Sequence, residues 1–313
     1  MTLVLALSTP RFCAMASDRS VTLVDPTSHR YAGPHDPRAN KTVVLVTIDA
    51  VVSIGYAGTA YLNGQPTDRW IAEVTSPNAN HISQGIFGRK ARCRLRLHQV
   101  CSRLRSELSA VPGGAGVELL MVGWRLRRNR VHPINVQLKA AASLTSAADL
   151  VLRRQWRNRA CIRAIGYQPS EAELFEEISR HAPPRSAEDM VVAFTALIRQ
   201  VAARVPTVGP DVMSVVLPPP HLRRVVCCFD PHFEHYADAT IHGQEVQVPV
   251  AYSPWVVTPS GFAAPSEMTC EPGGASAVGL GGWEFEFRHV PRGEVPELRA
   301  HRTRMQPRKP PPK

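Results

Sequence analysis

Strand-like and helix-like segments fall into separate blocks along this chain, and that segregation restricts the fold more than any other feature of the sequence. Residues 2–9 and 12–17 are short apolar runs of strand character joined at Pro10-Arg11. Polar, turn-rich sequence occupies 25–40. The apolar run over 43–54, ending in Gly55-Tyr56-Ala57-Gly58, has the length of one or two buried strands. Pro66-Thr67-Asp68 then opens a helix with Trp70, Ile71 and Val74 on one face. A second helix over 92–110 carries Leu97, Cys101, Leu104 and Leu108 at helical spacing and ends at Pro112-Gly113-Gly114.

Strand signals return at 117–124, and the turn Arg127-Arg128-Asn129 leads into Ile134, Val136 and Leu138, which alternate with polar residues. Residues 161–165 form another strand candidate. Ser170 with Glu173 makes a capping box for a helix to about Arg180. A longer helix opens at Ser186 with Met190, Phe194, Leu197, Ile198 and Val201 as its apolar stripe. Strands at 212–217 and 224–229 close the region. Strands, two helices, strands, two helices, strands is the order of an α+β fold with two sheets sandwiched between helix layers (αββα), not of an alternating parallel sheet. Past Pro218-Pro219-Pro220 the texture changes to short β pieces, including Trp283, Phe285 and Phe287 in alternation. This predicts a main domain over 2–229, a β-rich C-terminal extension over 230–300, and a basic Pro-rich tail over 301–313 that is expected to be disordered.

At 313 residues and 44% hydrophobic content the chain can bury a large core, and no apolar run is long enough to cross a membrane. Leu3-Val4-Leu5-Ala6-Leu7 followed by Ala14-Met15-Ala16 admits a secretory reading. The run is short, however, no basic residue precedes it, and Arg11 interrupts it. Seven scattered cysteines, with Cys161 and Cys227 in apolar strand-like runs, fit reduced and mostly buried thiols. A cytoplasmic location is the expectation. The net charge of +11 raises nucleic acid as a partner. The arginines at 89–105, 125–130, 153–159 and 302–309 are not interleaved with aromatics, and no finger or helix-turn-helix spacing occurs. They read as solvated charge, the first run on a helix face and the second at a hairpin tip.

Met1-Thr2 opens the first strand, and Asp18 follows sixteen residues after the threonine. Methionine is usually trimmed when a small residue follows. Thr2 would then carry a free α-amine and a hydroxyl together. Such an amine titrates near pH 8, so much of it is neutral at physiological pH and can take the hydroxyl proton.

The sequence resembles the N-terminal-nucleophile hydrolases, and among them the proteasome β-subunit and its bacterial two-ring relative. Thr2 is followed by Asp18-Arg19-Ser20-Val21-Thr22, which looks like the family's Asp-Ser-Arg-Ala-Thr turn. Asn40-Lys41 opens the next strand block, and Ala57-Gly58-Thr59-Ala60 is similar to the family's Ala-Gly-x-Ala segment. The resemblance covers roughly 2–229. It implies that Thr2 attacks a carbonyl, that Lys41, fixed by Asp18, places positive charge beside it, and that the Gly58 N–H stabilises the oxyanion. It further implies that the backbone at Thr22 and Ala60 holds an extended peptide, and that the chain forms a homo-oligomer. No metal or organic cofactor is implied. The chain departs from the family where Gly-Ser-Gly is usual, having Gly166-Tyr167-Gln168, and at 205–208, where Val-Pro-Thr-Val replaces an Asp and a Ser.

Other constellations carry less. His232, His235 and His242 with Asp230 and Glu234 have metal-ligating residue types, but at loose spacing in turn-rich sequence that reads as a polar loop. Cys227-Cys228 reads as packed strand, with no base identifiable beside it. Gly273-Gly274 and the glycines of 279–282 lack the helix and lysine of a phosphate loop. The expected function is peptide or amide hydrolysis through Thr2. The alternative is a catalytically inactive binding or assembly subunit of the same fold, with nucleic-acid association third.

Overall fold

The computed structural model describes residues 2–24, 31–36, 39–76, 87–88, 94–127, 130–139, 161–169, 186–230, 236–241, 244–252, 254–263, 267–269, 275–280 and 282–289. The first strands are β1 (Leu3–Ser8), β2 (Cys13–Asp18), β3 (Val21–Val24), β4 (Tyr31–Asp36), β5 (Thr42–Val46) and β6 (Ala50–Gly58). The two-residue strands β7 (Tyr61–Leu62) and β8 (Gln65–Pro66) lead into helix α1 (Thr67–Thr75). After β9 (Phe87–Gly88) come α2 (Leu97–Ala110), β10 (Val117–Arg127), β11 (Arg130–Lys139) and β12 (Cys161–Gly166). Helix α3 (Ala187–Ala202) precedes β13 (Val212–Leu217) and β14 (Arg224–Asp230). The chain continues through β15 (Tyr236–Ile241), β16 (Gln244–Tyr252), β17 (Trp255–Thr258) and β18 (Gly261–Ala263). It closes with β19 (Glu267–Thr269), β20 (Ala275–Leu280) and β21 (Trp283–His289).

The result is α+β and mostly sheet. One seven-stranded sheet runs β12-β1-β2-β13-β14-β21-β20 and the other β11-β10-β6-β5-β17-β18-β9. All six residues of β1 are buried, which is why the first five, Leu3 to Leu7, are apolar without interruption. Successive side chains point to opposite faces of a strand. Leu3, Leu5 and Leu7 accordingly pack with Phe194, Leu197 and Ile198 of α3. Val4 and Ala6 join Met15, Val44, Val51 and Leu120 in a cluster drawn from both sheets. A third cluster sets Val43, Leu45, Ile54 and Met121 against Trp70 and Ile71 of α1 and Leu104 and Leu108 of α2.

The 43–54 run is two strands, because Thr47, Ile48 and Asp49 turn the chain between β5 and β6. Helix α2 starts at Leu97, later than 92, with the Arg96 N–H donating to Gln99 Oε1. Helix α3 begins at Ser186 through a reciprocal cap. The Asp189 N–H donates to Ser186 Oγ (3.1 Å) and the Ser186 N–H to Asp189 Oδ2 (3.0 Å). Within the polar 25–40 stretch, β4 pairs with β3 in a bulged ribbon despite Pro34. The capping box at Ser170 and the tail from 301 lie outside the described residues.

Strands from beyond residue 230 enter both main sheets. β17 lies parallel to β5, with Trp255 opposite Val43, and β21 lies parallel to β14, with Glu284 opposite Arg224. Phe285 joins the cluster shared by the sheets, and Arg224 pairs with Glu286. Parallel neighbours need long connections that no local signal announces, so this arrangement is not visible in the alternation of Trp283, Phe285 and Phe287.

Asp68, in the first turn of α1, ties that helix to β17 by accepting a hydrogen bond from the Trp255 side chain. Burial pushes its carboxyl up to about 6, against backbone N–H donors that pull the other way. Between about 4 and 6 the folded chain therefore holds a proton that the unfolded chain releases, and stability falls as pH rises through that window. Asp68→Asn keeps an acceptor for the indole and removes the charge. The variant is expected to match the parent near pH 4 and exceed its stability at pH 7 by up to about 3 kcal/mol, as read by urea unfolding at the two pH values.

Candidate active site

The site is assembled by pairing β1 with β2. Val4 lies opposite Ser17, which sets the start of β1 beside Asp18 at the end of β2. The Leu3 N–H donates to Asp18 Oδ1 (2.9 Å), while the N–H groups of Gly209 (3.0 Å) and Ser20 (3.3 Å) donate to Oδ2. The same Oδ2 receives Lys41 Nζ at 2.8 Å. Lys41 sits at the entry to β5, where its carbonyl accepts the Tyr56 N–H of β6 (3.1 Å). Its ammonium also donates to Thr2 Oγ1 (2.9 Å) and to the Ser20 carbonyl (2.5 Å). Three donors meet three acceptors, so a charged ammonium is fully satisfied. Asp18 and Lys41 are 0% and 1% exposed, and Thr2 is 7% exposed, so the pair acts with little screening from water.

Burial pushes the Lys41 ammonium below the ordinary lysine range, opposed first by Asp18 and then by Asp36 at the end of β4. Tyr56 is pushed up, by burial first and then by Asp68 and Asp18, and its hydroxyl donates to the Asn40 carbonyl (3.3 Å). The Thr2 carbonyl accepts the Tyr167 N–H at 2.7 Å. That bond depends on Gly166, whose φ is +77° and whose added Cβ would fall 1.9 Å from the Thr2 oxygen.

Thr2, Asp18 and Lys41 are therefore joined directly. Gly58 ends β6 opposite Val117. Its φ of +98°, and a Gly116 carbonyl 1.8 Å from any added Cβ, require glycine there. The preceding Ala57 has its Cβ 3.0 Å from the Cβ position built on Gly166, which brings the end of β6 alongside the Thr2 carbonyl. Thr22, half-buried, lies in β3 at the bulge facing β4. Ala60 commits its carbonyl to the Thr67 N–H at the start of α1 (2.9 Å). No hydrogen bond among the described residues joins Thr22 or Ala60 to Thr2.

The passage from α3 to β13 contributes to the site through backbone. Val208 is buried, Val205 packs on the α3 cluster, and the Gly209 N–H reaches Asp18. Sequence reading did not foresee the Ser20 carbonyl on Lys41 or the Tyr167 N–H on Thr2. The available signals were Gly209-Pro210 after a helix and Gly166 after a strand, both marks of a tight turn. Among the described residues no group of His, Cys, Asp and Glu could hold a metal, and the side chains of the 230–242 candidate set lie outside them. Cys227 is fully buried and burial pushes its thiol up, as expected of a packed residue. No helix among the described residues is long and apolar enough to cross a membrane.

No protein-family model and no curated protein matches the chain. Among solved structures it is similar to a Gly-1 mutant of Anbu from Hyphomicrobium sp. strain MC1. That match has 15% identity over 70% of this chain and 82% of that one, with a TM-score of 0.43. It is also similar to Anbu, described as an ancestral beta-subunit, from Yersinia bercovieri, at 12% identity over 69% and 80%, with a TM-score of 0.41. The centre of the site is the direct contact of Lys41 with Thr2 and Asp18.

Asp18→Asn leaves the Lys41 cation buried without its counter-charge and is expected to lower stability by about 3–5 kcal/mol. Pairing it with Lys41→Met removes the stranded charge and should recover part of that loss. Chemical denaturation of the two single variants and the double variant closes the cycle. Strict additivity would show that the two groups are not coupled.

Proposed function

We propose that the chain is a proteasome-like hydrolase of amide bonds in peptides or proteins, acting through Thr2 without a metal or organic cofactor. One observation carries the reading: a water-excluded ammonium, anchored by a buried carboxylate, donates to the Thr2 hydroxyl at the entry to β1. Because Lys41 donates to Oγ1, the hydroxyl proton is free to point elsewhere, and the nearby positive charge lowers the proton affinity of that oxygen. With Met1 removed, the Thr2 α-amine takes the proton as Oγ1 bonds to the substrate carbonyl carbon. The Gly58 N–H is assigned to the oxyanion. Collapse breaks the C–N bond, the leaving amine takes the proton back from the α-ammonium, and water hydrolyses the acyl ester to restore Thr2. Thr22 and Ala60 are assigned to strand-like backbone contacts with the substrate. A four-layer αββα arrangement, a cytoplasmic location and assembly as a homo-oligomer belong to the same reading. The three core clusters support the first of these.

A second reading, an inactive binding or assembly subunit, is favoured by the 205–208 passage. The Gly209 N–H that follows it reaches Asp18, but Val208 is buried and Val205 packs against the core where the family has an amine-orienting Asp and Ser.

Intact mass before and after incubation with a peptide epoxyketone separates the two, because that warhead reacts with an amine and a hydroxyl of one N-terminal residue. The hydrolase reading expects loss of Met1 and one adduct on Thr2, with adduct and amidase activity both absent in Thr2→Ala. Retained Met1, or amidase activity that survives in Thr2→Ala, overturns it.

A further inference from the structure

We propose that the end of the second sheet remote from Lys41 is a docking surface for an acidic polypeptide segment that carries aliphatic side chains. β5 runs away from Lys41, so the 47–49 turn lies roughly 20 Å from that residue. The surface is therefore separate from the Thr2 site. Asp49 organises it. Its Oδ1 accepts the Leu97 N–H at the start of α2 (2.7 Å), its Oδ2 the Arg125 Nε–H (3.4 Å), and its carbonyl the Leu126 N–H of β10 (2.7 Å). The Ile48 N–H donates to the Leu95 carbonyl (3.3 Å). The approach to α2 and the β10–β11 hairpin, which carry two separate arginine runs in sequence, are drawn to one corner.

Three large apolar side chains stand exposed there: Ile48 at 57%, Leu126 at 50% and Val131 at 42%. Leu126 and Val131 are directly opposite in the hairpin, so they share one face. Arg127 lies directly opposite Arg130, and Arg125 opposite His132, on the other face. Arg94, Arg96, Arg127 and Arg130 are exposed. Like charges directly opposite one another destabilise an antiparallel pair, and an exposed aliphatic pair gains nothing from water. β11 is an edge strand of its sheet among the described residues, so an extended partner lying along it turns alternate side chains to the two faces, carboxylates to the arginines and aliphatic side chains to Leu126 and Val131. Nucleic acid would use the arginines but leave the aliphatic face without a role, and among the described residues no aromatic stands exposed here for base stacking. A second copy of a chain with net charge +11 opposes the arginines.

The test measures binding of the full chain to a synthetic peptide alternating Glu and Leu, against one of equal charge alternating Glu and Ser. Phosphatidylserine vesicles and a single-stranded DNA oligonucleotide serve as further probes. The proposal expects the Glu-Leu peptide to bind at least about tenfold more tightly than the other probes. Arg127→Glu with Arg130→Glu, and separately Leu126→Ser with Val131→Ser, should each weaken that binding about tenfold. Circular dichroism should show both double variants folded. Arg11→Glu, an exposed charge reversal at the β1–β2 turn, should leave binding unchanged. Equal binding of the Glu-Ser peptide, equal loss in Arg11→Glu, or tighter binding of vesicles or DNA would overturn the proposal.

Discussion

The ion pair between Lys41 and Asp18 is the interaction on which the rest of the site depends. Neither group touches solvent, and each is expensive to bury alone, so their mutual attraction and their hydrogen bonds must offset the lost hydration. Asp18 collects N–H groups from Leu3, Ser20 and Gly209 as well as the lysine. Those donors come from β1, from the residues just past β2, and from the turn ahead of β13. One carboxylate thereby fixes the ends of three neighbouring strands of the first sheet. Lys41 performs the corresponding task for the second sheet, because it enters β5 there. The pair is in effect the charged clasp between two sheets whose remaining contact is mostly apolar, with Trp124 Nε1 donating to the Leu217 carbonyl (2.9 Å) and Ser17 meeting Thr42 (3.3 Å) besides.

That apolar contact explains why the clasp can be dry. Val4, Met15, Val44 and Leu120 close the space between the sheets, and α3 covers the outer face of β1 and β2. Gly55 shows how close the sheets come, since a Cβ built there would fall 2.6 Å from Val4 and 2.9 Å from the Met15 sulfur. Interiors packed to this density leave no room for a hydration shell. The site's electrostatics are thus inherited from core packing, and a substitution that loosened the cluster would admit water to the lysine before it moved any polar residue.

Much of this was legible in the sequence. Leu3 to Leu7 form an apolar run that fits a strand buried on both faces, and the stripes of α2 and α3 named their buried residues correctly, from Leu97 to Leu108 and from Met190 to Val201. Thr2, Asp18 and Lys41 could be singled out by resemblance to the N-terminal-nucleophile hydrolases, and their side chains meet. What stayed hidden was backbone: the Ser20 carbonyl, the Tyr167 N–H and the Gly209 N–H carry no residue-type signature, because every residue except proline offers the same groups. The strands past residue 230 were legible as strands but not as members of the main sheets, since parallel pairing over long separations leaves no local pattern. The arginine runs were read as solvated charge one at a time, and the corner they share exists only once Asp49 has joined the helix to the hairpin.

The parallel seams at β5–β17 and β14–β21 set an order on events during synthesis. Residues 42–46 and 224–230 leave the ribosome well before their partners at 255–258 and 283–289. In that interval each sheet presents an open row of backbone donors and acceptors, flanked by valines, which is the kind of edge that recruits strands from neighbouring chains. The strands past residue 230 therefore cover both of those edges from within the same molecule. A nascent chain that stalls after β14 would leave β5 and β14 without these partners and the core without Trp255, Val257 and Phe285.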